Sequence, residues 1–326
     1  MAVIAWEELD LLNGLNRVLE RWMPLLTPLG VLVGILASAQ LKDYKQLVIW
    51  IFAGMTFIGS LGANFTDLGR VVRQPMPIIV NLMILHLVMP LIGWAVANAM
   101  FPGDVLTETG FILLFAIPTG VVSLVWVSIY RGNIALTLTL ILVDTLLSPF
   151  ITPATLSLFV GAKVQIDTWG MMQGLLWMIV IPSLAGMTLN QMTRGQIKQN
   201  WGPKLAPFTK IGLFTVVAIN SAVVAPYLKE AGTDILFMIA STIGIVALGY
   251  ALGWLVSQWL GWGRDVTIAM TFNTGMRNLS AGAVLAIAFF PPPVALPVIT
   301  GMLFQQILAS LFGFALAKTG KRAVAL

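Results

Sequence analysis

The sequence has no cysteine and a single histidine, His86, in 326 residues. Disulfides, thiol nucleophiles and thiolate metal sites are excluded, and so is a metal centre built on several histidines. Charge is equally scarce. Only 10% of residues are Asp, Glu, Lys or Arg, against roughly 25% in an ordinary soluble protein. Eighteen basic and thirteen acidic residues cannot cover a globule whose chain is 58% hydrophobic, and apolar area on that scale is normally hidden in lipid. The chain therefore reads as an all-α membrane protein. Its net charge of +5 does not point to nucleic acid, because the basic residues fall in short loops between apolar runs. No phosphate-binding glycine loop is present, and Ser123 has no histidine in its own segment to activate it. Neither ATP hydrolysis nor nucleophilic catalysis is expected, so the chain is read as a non-enzyme without a cofactor.

Residues 1–21 mix charges with Leu and Val at helical spacing and lack the pattern of a signal peptide, so an amphipathic surface helix is expected there. Ten transmembrane spans follow, at 22–41, 46–65, 75–100, 110–130, 134–158, 169–190, 207–228, 235–260, 267–290 and 292–317. Pro291-Pro292-Pro293 separates the last two, and 318–326 forms a basic tail. Alternate loops carry thirteen basic residues on one side and four on the other. The positive-inside rule then puts both termini in the cytoplasm of a bacterial inner membrane. Trp22, Trp50, Trp169, Trp201 and Trp262 near span ends read as interfacial anchors.

Two spans are broken at matching places. The fourth is interrupted at Pro118-Thr119-Gly120 and the ninth at Asn273-Thr274-Gly275, with Ser123 and Asn278 each three positions after the glycine. A weaker echo links Pro24 and Pro28 to Pro203 and Pro207. Five spans per half is an odd number, so the halves enter the membrane in opposite directions. The pattern is an inverted 5+5 repeat with one discontinuous helix per copy, as in secondary transporters.

Apart from His86, two ionisable residues lie well inside the spans, Asp144 and Arg277. Charge at membrane depth costs several kcal/mol unless paired or hydrated, and so marks a functional site. Arg277 beside a half-helix N-terminus suits a carboxylate, phosphate or sulfonate. It equally suits a structural pairing with Asp144, and contact between the two is expected because a pair is cheaper to bury than either ion alone. Asp144 shares a helix face with Thr137 and Ser148, where it can coordinate sodium, exchange a proton or neutralise Arg277. Gln305 and Gln306 can bind a ligand or a neighbouring helix. His86 can exchange a proton or bond between helices.

These residues resemble the bile acid:sodium symporters and their bacterial homologues over nearly the whole chain. The likeness is carried by Pro118-Thr119-Gly120 through Ser123, by Arg131-Gly132-Asn133-Ile134-Ala135-Leu136, by Ser148-Pro149-Phe150-Ile151-Thr152-Pro153, and by Gly275-Met276-Arg277-Asn278. The resemblance implies a panel domain (22–65 and 169–228) and a core domain (75–158 and 235–317) in which the two broken helices cross, with substrate in the cleft between them. The family motifs are Pro-Gly-Gly-Thr-Ala-Ser-Asn at the first crossover and Glu-x-Gly-x-Gln-Asn at the second. In the family, one sodium site uses the Ser-Asn pair, fifth-span hydroxyls and the Glu. Here Ser123 and Thr137 keep an oxygen, but Leu124, Ile141 and Asn273 stand at the other positions. The second site loses its third-span glutamine to Leu85, and its Glu and Gln to Asn273 and Arg277.

Arg277 is accordingly expected to supply the charge of the second sodium, with Asp144 compensating for the lost glutamate. The implied activity is alternating-access transport of an organic monoanion, steroid-like or a small acid such as pantoate, with sodium or a proton as coupling ion. Expected substrate contacts are Arg277, Asn278, Asn273, Thr119, Ser123, Gln305 and Gln306. Expected coupling or charge-compensating residues are Asp144, Thr137, Ser123, Asn273 and His86, and the helix breaks comprise Pro118, Thr119, Gly120, Thr274 and Gly275. The alternatives are a conventional sodium symporter and a non-transporting membrane receptor. The related arsenite carriers are disfavoured by the lack of cysteine. The partners implied are the anion and the lipid bilayer, with no nucleic acid; the sequence leaves the oligomeric state open, a monomer being compatible with it.

Overall fold

The computed structural model describes residues 14, 16, 18, 19, 22, 25–65, 75–230 and 234–323. The segment expected to be amphipathic, 1–21, lies almost wholly outside them, as do Arg70 and Arg73. The described residues are helical, with no strand among them and one isolated antiparallel bridge. In chain order the helices are α1 (Leu25–Leu36), α2 (Ser38–Leu41), α3 (Leu47–Ser60), α4 (Pro75–Met83), α5 (Met89–Met100), α6 (Val105–Ala116), α7 (Ser123–Ile129) and α8 (Ile134–Val160). They continue as α9 (Thr168–Leu175), α10 (Ile181–Met192), α11 (Gln196–Glu230), α12 (Asp234–Trp259), α13 (Arg264–Gly275), α14 (Leu279–Phe289) and α15 (Ala295–Ala323).

Among the described residues, six helices are long and apolar enough to cross a membrane: Pro75–Met100, Ile134–Val160, Thr168–Met192, Gln196–Tyr227, Ile235–Trp259 and Pro292–Lys318. A seventh span results if α1 and the following Ser38–Tyr44, bent by 90°, count as one. The other expected spans fall on shorter pieces. The second corresponds to α3, the fourth to α6 and α7, and the ninth to α13 and α14.

Several boundaries differ from the sequence reading, among them those of α11 and α15. The helix containing the seventh span begins at Gln196 rather than 207 and carries Pro203 and Pro207 inside it. The residues taken as a tail from 318 continue α15 to Ala323. The break at Pro291 is present, with a short 3-10 turn at Pro292–Val294 before α15.

The chain divides into two compact units. One is drawn from Met1–Phe65 and Gly174–Pro226, the other from Thr66–Gln173 and Tyr227–Leu326. In the first, α1 lies close against α11. A Cβ on Gly34 would stand 2.7 Å from Ser221 Cβ and 3.0 Å from the Ala222 nitrogen, and Ser38 Oγ donates to the Ala222 carbonyl at 2.7 Å. Without a hydrophobic drive between helices in lipid, such backbone approach supplies the packing.

In the second unit, α4 and α5 are joined through a π turn, Ile84–Val88. Pro90 explains it. A proline inside a helix lacks the N–H of the ladder and crowds the preceding turn, and a widened turn accommodates it. The helix α8 is capped by Asn133, whose side chain accepts from the Leu136 amide at 2.9 Å. Its stripe of Thr137, Asp144 and Ser148 is fully buried, as the spacing predicts.

Candidate functional site

The second unit is organised around the two helix breaks. Helix α6 stops at Ala116 because Ile117 is extended ahead of Pro118, a residue type that pushes its predecessor out of the helical region. Helix α13 stops at Gly275, and Met276 is extended. The two extended segments pair as an antiparallel bridge, Thr119 with Arg277. Gly120 N–H donates to the Met276 carbonyl at 2.9 Å, and Asn278 N–H donates to the Pro118 carbonyl at 2.8 Å. Thr119 Oγ1 adds bonds to the carbonyls of Asn273 (2.9 Å) and Met276 (3.0 Å). Each break thus satisfies backbone groups that the other leaves open, which apolar surroundings require. Gly120 is needed for this approach, since a Cβ there would stand 2.7 Å from the Arg277 carbonyl oxygen.

Arg277 is 3% exposed and turned inward. Its Nη1 donates to the Ile117 carbonyl at 3.2 Å and its Nη2 to the Leu85 carbonyl at 3.1 Å. Both acceptors are free for reasons of sequence. In the π turn the Met89 amide donates to Ile84, and the next residue, Pro90, has no N–H for Leu85. Ile117 lies past the end of α6, so no helical amide reaches its carbonyl. A guanidinium therefore sits on two carbonyls released by a proline and a helix break.

The expected contact between Arg277 and Asp144 does not form. Asp144 instead accepts from the Thr119 amide at 2.6 Å through Oδ2, and its Oδ1 lies 2.5 Å from His86 Nε2. The Thr119 amide and the His86 ring occupy the carboxylate, and carbonyls occupy the guanidinium. The opposite charges act on each other across the crossover backbone without touching. His86, whose side chain is 8% exposed, is thereby an interhelical partner, and its Nδ1 is buried without a hydrogen bond.

Asn273 joins the residues at the positions of the first family sodium site. Its Nδ2 donates to Thr137 Oγ1 at 3.1 Å and to the Ala269 carbonyl at 2.7 Å, and its Oδ1 accepts from Ser123 Oγ at 3.1 Å. Ser123 and Thr137 are thus brought together, bridged by an amide. Sodium needs several free oxygens, and here three of the candidates are already bonded to one another.

Gln305 clamps the Arg277 backbone, accepting from its amide at 2.8 Å and donating to its carbonyl at 3.2 Å. Gln306 is exposed and accepts from Trp126 Nε1 at 2.9 Å. Asn278 caps α14 by accepting from the Ala281 amide at 3.3 Å. Thr274 Oγ1 ties α13 to α12 through the Gly249 carbonyl at 2.9 Å. Gly275 lets the Tyr250 ring lie against α13, where a Cβ would overlap it.

Sequence reasoning missed Thr152, whose Oγ1 donates to the Ala116 carbonyl freed at the break, at 2.9 Å. It also left Glu108 outside the membrane spans, whereas Glu108 is 4% exposed within α6 and bonds to Lys163 Nζ at 2.7 Å and to Asn98 Nδ2 at 3.0 Å. An acid three residues ahead of the apolar run Phe111 to Ala116 was the available signal. Among the described residues no group of three His, Cys, Asp or Glu is arranged to hold a metal.

Residues 48–231 match the Sodium Bile acid symporter family. A Bacillus subtilis relative called "Uncharacterized protein YbaS" is 50% identical over 296 residues, covering 90% of this chain and 96% of its own. The "Uncharacterized sodium-dependent transporter YocS" of the same organism is 28% identical over 76% of each chain. A rice protein (Oryza sativa subsp. japonica), "Probable sodium/metabolite cotransporter BASS1, chloroplastic", is 25% identical over 95% of this chain and 75% of its own. With its several apolar helices and the crossed breaks of its second unit, the chain belongs to the sodium bile acid symporter family and is a multi-pass membrane transporter.

Proposed function

We propose that the protein is a secondary active carrier of organic monoanions that works by alternating access and does not need sodium at the two family positions. The observation that carries this reading is the Arg277 guanidinium on the carbonyls of Leu85 and Ile117. A permanent cation held by inward-facing carbonyls does electrostatically what a bound sodium would do, and a second cation beside it would be repelled. The Asn273 bridge supports the same reading for the first position, because Ser123 and Thr137 have exchanged a metal for an amide. Arg277 in this arrangement is a fixed charge of the crossover, and it draws an anion by its field rather than by direct contact.

In the full reading the chain has ten spans arranged as two inverted five-span halves. The matched breaks and their pairing support the repeat, and the two compact units support a panel and a core. Both termini lie in the cytoplasm of a bacterial inner membrane, in line with the distribution of Lys and Arg. Substrates are bile-acid-like molecules or small carboxylates such as pantoate.

A conventional sodium symporter is the competing reading, favoured by the name of the relative at 28% identity. Uptake of labelled pantoate and of a labelled bile acid into proteoliposomes, with choline replacing sodium, separates the two. Uptake that is equal within about twofold supports the substitution, and a strict sodium requirement overturns it. Binding of either anion without flux or counterflow would instead identify a receptor.

A further inference from the structure

We propose that His86 and Asp144 form a proton-binding site, and that the proton taken up on His86 Nδ1 crosses the membrane with the organic anion. The proposal rests on the transport reading above and supplies its coupling ion. Both carboxylate oxygens of Asp144 are in use, one by the Thr119 amide at 2.6 Å and one by His86 Nε2 at 2.5 Å. With Nε2–H donating to Asp144, the ring is neutral and Nδ1 carries a bare lone pair. That atom is buried and has no hydrogen-bond partner, so it is the one basic position left open in the pair. Protonation forms a single N–H bond there, releases no group and changes the charge of the ring from zero to +1.

The surroundings make that single charge decisive. The π turn of His86 packs against α4, α5, α6 and α12. Helices α4 and α5 bring no ionisable residue. From α6 comes Glu108, which is bonded to Lys163 and Asn98. From α12 comes Tyr250, whose hydroxyl donates to the Gln305 carbonyl at 3.0 Å. Helix α8 brings Asp144, and the crossover brings Arg277 on the carbonyl of the neighbouring Leu85. With His86 neutral, Asp144 and Arg277 cancel. With His86 protonated, the group carries one uncompensated positive charge in an apolar interior. A monovalent anion restores neutrality, so anion and proton each favour binding of the other, by the reciprocity that links two ligands on one protein. Transport is then electroneutral for a monoanion. Asp144 also holds the amide of Thr119, which ties the state of the pair to the backbone of the crossover.

The single histidine makes the test direct. Protein labelled with 15N-histidine and held in lipid nanodiscs yields signals from His86 alone. From alkaline to acid pH the ring is expected to gain one proton, and Asp144→Asn is expected to weaken that uptake by removing the counter-charge. Because Asp144→Asn can fail to fold, the wild-type titration is paired with proteoliposomes that contain a trapped pH dye. Pantoate or a bile acid added outside should acidify the lumen, and His86→Gln should abolish the acidification. A ring fixed in one state across that range, or labelled anion entering without acidification, overturns the proton site and leaves the transport reading intact. A ring that titrates in a protein that moves neither anion overturns the substrate reading and the proposed coupling, and keeps only the proton site.

Discussion

Gln305 closes a ring on the backbone of Arg277, accepting from its N–H at 2.8 Å and donating to its carbonyl at 3.2 Å. One side chain of α15 thereby completes the hydrogen bonding of the residue at the centre of the second break. Gln305→Leu keeps the bulk and loses both bonds, leaving a buried donor and a buried acceptor open. About 3 kcal/mol of stability should be lost, seen as a lowered midpoint of thermal unfolding in detergent. An unchanged midpoint would show that the clamp is dispensable.

Gly120→Ala tests the crossover itself. Its Cβ would sit 2.7 Å from the Arg277 carbonyl oxygen, a backbone atom that can move only by parting the bridge. The cost should be about 3 kcal/mol or more, with a fall in folded yield. Gly54→Ala is the control, since nothing lies within 4 Å of a Cβ there, and it should stay within about 0.5 kcal/mol of wild type.

Arg277→Ala and Arg277→Gln both strip the carbonyls of Leu85 and Ile117 of their donor and leave Asp144 without its counter-charge. Removing one charge of a buried, mutually compensating set costs about 3–5 kcal/mol, and anion uptake should be abolished. In Arg277→Gln, sodium should raise the unfolding temperature while leaving the wild type unmoved, because a ligand that binds only the folded state stabilises it. Normal transport by both variants would show that the arginine is neither an anion attractor nor a sodium surrogate.

Asn273→Ala removes an amide that bonds to Ser123, Thr137 and Ala269. A loss of about 2 kcal/mol is expected. Because Ser123 shares that bond, the double variant Ser123→Ala with Asn273→Ala should cost less than the sum of the single changes. Strict additivity in thermal or denaturant unfolding would mean that the bridge contributes nothing.

Lys163→Ala probes the buried acid outside the crossover. Glu108 is nearly inaccessible, but Lys163 is 43% exposed, so the pair is partly screened. A cost of about 1–2 kcal/mol is expected, below that of a fully buried pair, and Glu108→Gln should recover part of it in the Lys163→Ala background.

The sequence was informative where one residue type forces a conformation. Pro118 and Gly275 mark the breaks because proline pushes the residue before it out of the helical region and glycine is a poor helix former. The burial of Thr137, Asp144 and Ser148 followed from helical spacing alone. Less visible was the helix containing the seventh span, whose start at Gln196 places Pro203 and Pro207 inside it. A proline ends a helix only if no widened turn or neighbour compensates, and that is settled by packing.

Composition and spacing by themselves determined that this is a helical membrane protein with two matched interruptions and two opposite charges at membrane depth. They could not determine what those charges touch. Two buried ions are cheapest in direct contact when no other polar group is near, which is why the pairing of Arg277 with Asp144 was the natural expectation. The tertiary structure replaced it by supplying better-placed partners from distant segments: the Leu85 carbonyl released ahead of Pro90, the Ile117 carbonyl at the break, the Thr119 amide and the ring of His86. Backbone groups look alike in every sequence. Which of them are left free depends on how each helix ends and on what crosses it, so the use of the two intramembrane charges was decided by the fold.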